Sequence, residues 1–289
     1  MTSAIRTTVL LGALTGLLML IGGVVGGSHG AEMAFIIALA MNFFSYWFSD
    51  KIVLRAYGAQ KLEPSAAPEL YSIVQELANE AHIPVPPMYM IDTDTPNAFA
   101  TGRNPNHAAV AVTQGILQIC TWSELRGVLA HEISHVRNRD ILTSSVAASI
   151  AMGITFLARM AAWSGLFFGG GQGGRRNQEE NIFGLLAMMI LAPLAATLLQ
   201  LALSRSREYE ADRDGARLIG DGEPLASALQ KLDMASRRQP MPVPKEMAAL
   251  FIVNPLNGRR VSFSKWFADH PPTDQRIARL RSRQWAQKF

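Results

Sequence analysis

Apolar and polar residues in this chain fall into long blocks separated by stretches with shorter periods. Thr7 to Gly27 carries no charge and is long enough for a helix to cross a bilayer, which takes about 20 residues. A second apolar run, Ala31 to Phe48, follows after only Ser28-His29-Gly30. The pair therefore predicts an anchoring helical hairpin turned at Ser28–Gly30, in preference to a cleaved leader, which would have no second run behind it. Gly12 and Gly16, then Gly22 and Gly26, have the small-xxx-small spacing that lets helices approach closely. Phe43, Phe44, Tyr46, Trp47 and Phe48 gather at the end of the second run, as in an interfacial belt. Arg6 on one side and Lys51 with Arg55 on the other place both ends of the hairpin in the cytoplasm. A third block runs from Ile141 to about Phe168, interrupted by Arg159, and a fourth from Phe183 to Leu203, with Pro193 inside it. These predict a second hairpin. Arg175 and Arg176 in its loop strain the positive-inside pattern, which leaves an interfacial hairpin open as the alternative to a spanning one.

Between the blocks the period changes. Pro68 to Ala81 reads as an amphipathic helix with Leu70, Val74, Leu77 and Ala81 on one side. Met88 to Ile91 reads as a strand, and Asn97–Gly102 with Ala108–Thr113 as a hairpin turned at Arg103 to Asn106. Thr121-Trp122-Ser123-Glu124 has the capping-box form and opens a helix whose apolar stripe is Leu125, Val128, Leu129 and Val136. Further on, a helix is expected over Glu223–Leu232, and a linker at Pro240, Pro242 and Pro244. A basic terminal helix, Asp274 to Arg283, is expected with Thr273 as N-cap. The fold class expected is a mainly α membrane protein, with four apolar helices in two hairpins plus an α+β domain on the cytoplasmic side. Residues 1–50 and 141–203 form the hairpins, and residues 51–140 and 204–289 are the two parts of that domain.

Composition agrees with this pattern: of 289 residues, 49% are hydrophobic and only 17% charged. The single cysteine, Cys120, excludes an intramolecular disulfide and reads as an ordinary core thiol. The net charge of +4 does not indicate nucleic acid, because the basic residues are dispersed and carry no interleaved aromatics. Anionic lipid headgroups explain it better. His29 and His107, both in turns, read as surface residues.

The chemistry lies in His131-Glu132-Ile133-Ser134-His135. Two histidines four apart on a helix can reach one ion, and the glutamate beside the first can take a proton from a water near it. The pentapeptide also arises by chance on buried helices, so a third ligand decides. Glu208 and Asp212 are again four apart on an expected helix. Alone they read as a charged face paired with Arg205 and Arg207. Beside the pentapeptide, Glu208 completes a His₂Glu set with an open fourth position, and Asp212 can accept the remaining N–H of a ligand histidine.

His131-Glu132-x-x-His135, Glu208-x-x-x-Asp212 within SRSREYEAD, Asn97-Ala98-Phe99-Ala100-Thr101-Gly102 and the terminal His270-Pro271-Pro272 together resemble the HtpX family. These are membrane zinc endopeptidases of bacterial quality control, distantly similar to the CAAX prenyl proteases. The resemblance implies a cytoplasmic, gluzincin-like catalytic domain in a multi-pass protein of the bacterial inner membrane. It implies one Zn²⁺ per chain, held by His131, His135 and Glu208, with Glu132 as general base and Asp212 behind a ligand. Its substrates would be misfolded or damaged membrane proteins. Asn97, Ala98, Phe99 and Ala100 would line the cleft, where a substrate adds as a strand; on the residues alone Asn97 reads first as a turn residue. His270 would help stabilise the oxyanion, or only cap the terminal helix.

Intramembrane site-2-type proteases share the pentapeptide but place it inside a span. Here its helix carries Glu124, Arg126, Arg137 and Arg139, and Asn254-Pro255-Leu256-Asn257-Gly258 lacks their aspartate. A zinc-stabilised scaffold or chaperone that binds unfolded segments without cutting them needs no Glu132. A transporter would carry charges at mid-membrane, yet these blocks have almost none apart from Arg159.

Overall fold

A computed structural model of the chain describes residues 3–151, 205–238, 250–253 and 271–286. The fourth apolar block, most of the third, the proline linker and His270 lie outside the described residues.

Helix α1 (Ser3–Ala56) is broken at Gly27, whose φ is 62°, a conformation open mainly to glycine. The chain doubles back there: a Cβ on Gly22 would sit 2.3 Å from the carbonyl oxygen of Gly30. Further down, Asn42 Nδ2 donates to Thr15 Oγ1 at 2.9 Å and to the Leu11 carbonyl at 3.3 Å. This is the expected hairpin, but its turn is at Gly27, and Ser28–Gly30 already belong to the second arm. That arm, Gly27–Ala56, is long and apolar enough to cross a membrane. It also runs past the expected boundary at residue 50, because Val53 and Leu54 stay buried against the following domain.

Strands β1 (Gln60–Lys61), β2 (Met88–Ile91), β3 (Ala98–Gly102) and β4 (Ala108–Thr113) form one sheet in the order β1-β2-β4-β3. β2 and β4 are parallel and the other pairs antiparallel, with Ala100 opposite Val110. β3 is thus an edge strand. Alternate residues serve two cores. Ala98, Ala100, Val110 and Val112 pack towards α2 (Pro68–Glu80) and α4 (Trp122–Arg137). Phe99, Ala109 and Ala111 pack towards α1 and α5 (Ile141–Ala151). The sheet is therefore sandwiched between the helix that carries the two histidines and the apolar hairpin. A short α3 (Gln114–Ile119) joins β4 to α4. After the undescribed block come α6 (Arg205–Ile219), α7 (Glu223–Arg238) and α8 (Thr273–Arg281). α7 outlasts its expected end at Leu232. α8 is preceded by Pro272 in the N-cap position, so Thr273 lies inside the first turn and makes no cap.

The capping box of α4 is formed. Thr121 Oγ1 accepts from the Glu124 N–H at 3.3 Å, and Glu124 Oε2 accepts from the Thr121 N–H at 2.8 Å. Glu124 also ties α4 to α7, accepting from Lys231 Nζ at 2.7 Å and Ser227 Oγ at 2.6 Å. Burial pushes its carboxyl up, but the Lys231, Ser227 and Thr121 hydrogen bonds outweigh that and hold it at about 2. A carboxylate depressed on folding adds stability above its ordinary value, and that stability is lost as pH falls through the folded one. Glu124→Gln should therefore flatten the acid loss of melting temperature between about pH 4.5 and 2. Thr121→Ala should cost about 1 kcal/mol at neutral pH; thermal melts in detergent across that range check both.

Candidate metal centre

His131 and His135 lie one turn apart on α4, and Glu208 reaches them from the first turn of α6. The two helices can meet this closely because Gly215 faces α4; a Cβ there would stand 2.9 Å from the His131 backbone nitrogen. The structure brings His131 Nε2 to 3.2 Å from His135 Nε2, with Glu208 oxygens 3.7 Å and 3.5 Å from the two. A tetrahedral ion with N and O ligands at about 2.0–2.1 Å has donor-to-donor edges of about 3.3–3.4 Å, so the three donors fit one cation.

The outer face of each imidazole fits as well. His131 Nδ1 is 3.0 Å from Asp212 Oδ1, and His135 Nδ1 is 3.6 Å from Asp140 Oδ2. With a carboxylate facing each Nδ1, the two Nε2 atoms are turned towards the same space, where both could ligate one cation. Burial alone would lower His135, but Asp140, Glu208 and Glu132 outweigh it and raise it to about 9. The same carboxylates that favour positive charge on His135 would favour a cation beside it.

Sequence reasoning missed Asp140 and Arg276. Asp140 is placed by how α4 ends. Arg139 adopts a left-handed φ of 59°, the Asp140 N–H bonds the His135 carbonyl and the Arg139 N–H bonds that of Val136. This is a Schellman stop built without glycine, and it turns Asp140 back over the last turn. Arg207 Nη1 stands 3.9 Å from the Asp140 carboxylate, so Arg207 is buried where the sequence suggested a solvated face. Arg276 of α8 is 1% exposed. It donates through Nε and Nη2 to the two oxygens of Asp212, at 2.8 and 2.7 Å, and through Nη1 to the Ile252 carbonyl at 2.8 Å. Burial pushes Asp212 up, but Arg276 first and then His131 pull it below the ordinary carboxylate range. Arg276 lies four residues before Leu280 and shares its buried face, among the exposed arginines Arg279 and Arg281.

Glu132 is 6% exposed, and its Oε2 accepts from the Ala100 N–H at 2.9 Å. Burial raises its proton affinity, against the pull of His131, His135 and that amide. A pocket opens over the four side chains, walled by Phe99, Ala100, Ile141, Ser144 and Leu250–Ile252. Of the four residues expected to line it, Phe99 and Ala100 do. Ala98 is fully buried in the core. Asn97 is turned inwards, donating to the Leu250 carbonyl at 3.3 Å and accepting from the Ile252 N–H at 3.2 Å. It holds the far wall of the cleft and does not face the space within. His270 lies outside the described residues.

Asp212→Asn should weaken metal binding about 10- to 100-fold; competition against a chelator of known affinity reads it, at a temperature below the variant's own melting midpoint.

Residues 64–284 match the profile of peptidase family M48. The chain is 55% identical over 283 residues to the "Protease HtpX homolog" of Syntrophobacter fumaroxidans, covering 98% of this chain and 100% of that one. It is 54% identical to the protein of the same name from Syntrophotalea carbinolica, covering 96% and 98%. In fold it is similar to the crystal structure of S. mikatae Ste24p, with a TM-score of 0.52 at 18% identity over 96% of this chain. The chain spans 64% of Ste24p's length.

Proposed function

The chain belongs to peptidase family M48, a membrane-associated metallopeptidase of HtpX type, and from that premise we propose that it is a zinc endopeptidase cutting misfolded or damaged membrane proteins. The observation that carries the reading is the convergence of His131, His135 and Glu208 donors beside a buried carboxylate, at the edge of a strand. The bacterial inner membrane, with the cleft facing the cytoplasm, is the placement that the charges flanking the hairpin support.

His131, His135 and Glu208 would hold the ion, which when bound supplies the positive charge that polarises a scissile carbonyl and acidifies water. The remaining steps belong to the protein. Glu132 is fixed by the Ala100 N–H on Oε2, which leaves Oε1 to take a proton from the attacking water. Burial raises Glu132's proton affinity, so the carboxyl keeps the proton long enough to pass it to the leaving amine. Ala100 also aligns the substrate. In an antiparallel edge the C=O and N–H of one residue leave the strand on the same side, so the Ala100 carbonyl faces the cleft with its amide. It can pair with an extended substrate, and Leu250–Ile252 closes the opposite wall. No nucleophilic side chain enters this scheme, so no covalent acyl-enzyme forms.

The test is incubation of detergent-purified protein with an unfolded membrane protein, with and without chelator, followed by re-addition of Zn²⁺. Cleavage that chelator stops and Zn²⁺ restores is expected. Capture of the unfolded chain without cleavage would make the molecule a zinc-stabilised holdase.

A further inference from the structure

The catalytic strand is tied to the apolar hairpin once directly and once by way of α5, and together these contacts fix how the cleft stands relative to the hairpin. Arg103, at the end of β3, donates from Nη1 to the Trp47 carbonyl at 3.1 Å, with its guanidinium 4.5 Å from the centroid of the Trp47 ring. Trp47 belongs to the aromatic cluster of the spanning arm, where Phe43 and Phe44 are each 56% exposed, as residues that meet a headgroup layer are. Thr143, in the first turn of α5, contacts Thr7 of the hairpin through their hydroxyls at 3.0 Å. From there α5 packs alongside the apolar arms, with Val146, Ala147 and Ile150 in one cluster with Leu14. Ser145 of the same helix accepts from the Gly102 N–H at 3.0 Å and bonds Thr101 Oγ1 at 2.9 Å. The far end of the β3 edge is thereby closed by an element that enters the apolar layer. Ile141 and Ser144 of that helix line the pocket itself.

Resting on the reading of a peptidase that acts on membrane proteins, we propose that the Arg103–Trp47 contact and the α5 stop make the cleft a ruler that selects peptide bonds just outside an apolar span. Ala100, which holds Glu132, is three residues from Arg103, about 10 Å along a strand. An extended substrate leaving the headgroup layer would reach Glu132 within about its first six residues. Ser145 occupies the Gly102 end of the β3 edge, so a chain rising from the hairpin side can pair with that edge only from about Ala100 onwards. Unfolded segments far from any span lack this guidance, and the substrate class narrows to the juxtamembrane segments of membrane proteins.

The experiment uses the full-length protein in liposomes with a substrate of one apolar span followed by tandem copies of one short cleavable sequence. The same copies without a span serve as a soluble control, and cut sites are mapped by mass spectrometry. Cuts should concentrate in the copy next to the span. Arg103→Ala should lower the ratio of first-copy to later-copy cuts about threefold, the size of one lost cation–π contact, with the rate on the soluble control unchanged. Even cutting along the copies, or a ratio that Arg103→Ala leaves alone, overturns the ruler while the peptidase reading stands. Failure to cut either substrate removes the peptidase reading instead.

Discussion

Glu132→Gln leaves the metal bound and abolishes peptide hydrolysis, with an expected loss of at least about a thousandfold. Glutamine fills the same volume and its oxygen can still accept the Ala100 N–H that now ends on Oε2, so the geometry of α4 and β3 survives. The amide cannot take up a proton, and general acid–base transfer of this kind is worth about 10²–10⁴. Because one group serves as base for the water and acid for the amine, both transfers fail together. The three ligand positions are untouched, so metal content per chain should equal that of the wild type, while release of fluorescent peptides from an unfolded substrate falls to background. Metal retained with activity also retained would remove Glu132 from the chemistry and reassign the buried carboxylate to holding β3 in place.

The parts of this centre that a sequence discloses are those set by spacing along one helix. His131 and His135, and Glu208 and Asp212, are each one turn apart, and the helical period alone puts each pair on one face. The capping box at Thr121 and the alternation of β3 and β4 are local in the same way. Asp140 escapes that logic because its carboxylate is delivered by a left-handed residue after the helix has ended, and no period runs through such a stop. The family resemblance places Asn97 in the cleft, whereas its residue type alone favours a turn. Only the tertiary structure shows that Leu250 and Ile252 claim its amide. The end of the second arm was misjudged by composition: Lys51 and Arg55 suggested that the helix had stopped, yet both project outwards while Val53 and Leu54 continue the buried stripe. Arg276 was hidden by its neighbours. In a helix this basic, one arginine among several reads as solvated, and nothing local distinguishes the one that turns inwards.

That inward arginine carries the other large expected effect. Arg276→Met should destabilise the protein by about 3–5 kcal/mol, because it leaves the Asp212 carboxylate buried without its partner. It also frees the Ile252 carbonyl that the guanidinium now holds at 2.8 Å. Arg276→Lys should recover only part of the loss, since an ammonium cannot match both carboxylate oxygens at once. The pH dependence gives a sign to check. In the wild type, Arg276 helps hold Asp212 below the ordinary carboxylate range, so its stabilisation persists until the solution is more acidic than that range. Without Arg276, burial would raise Asp212 above it, and protonation would then favour the folded state. The variant's deficit should therefore shrink as pH falls through the ordinary carboxylate range, whereas a deficit caused by lost packing alone would not move. The double variant Arg276→Met with Asp212→Asn completes the cycle: both charges gone, it should be more stable than Arg276→Met by itself. Simple addition of the two single losses, read from melts in the same detergent, would mean that the pair is uncoupled and that His131 is oriented without it.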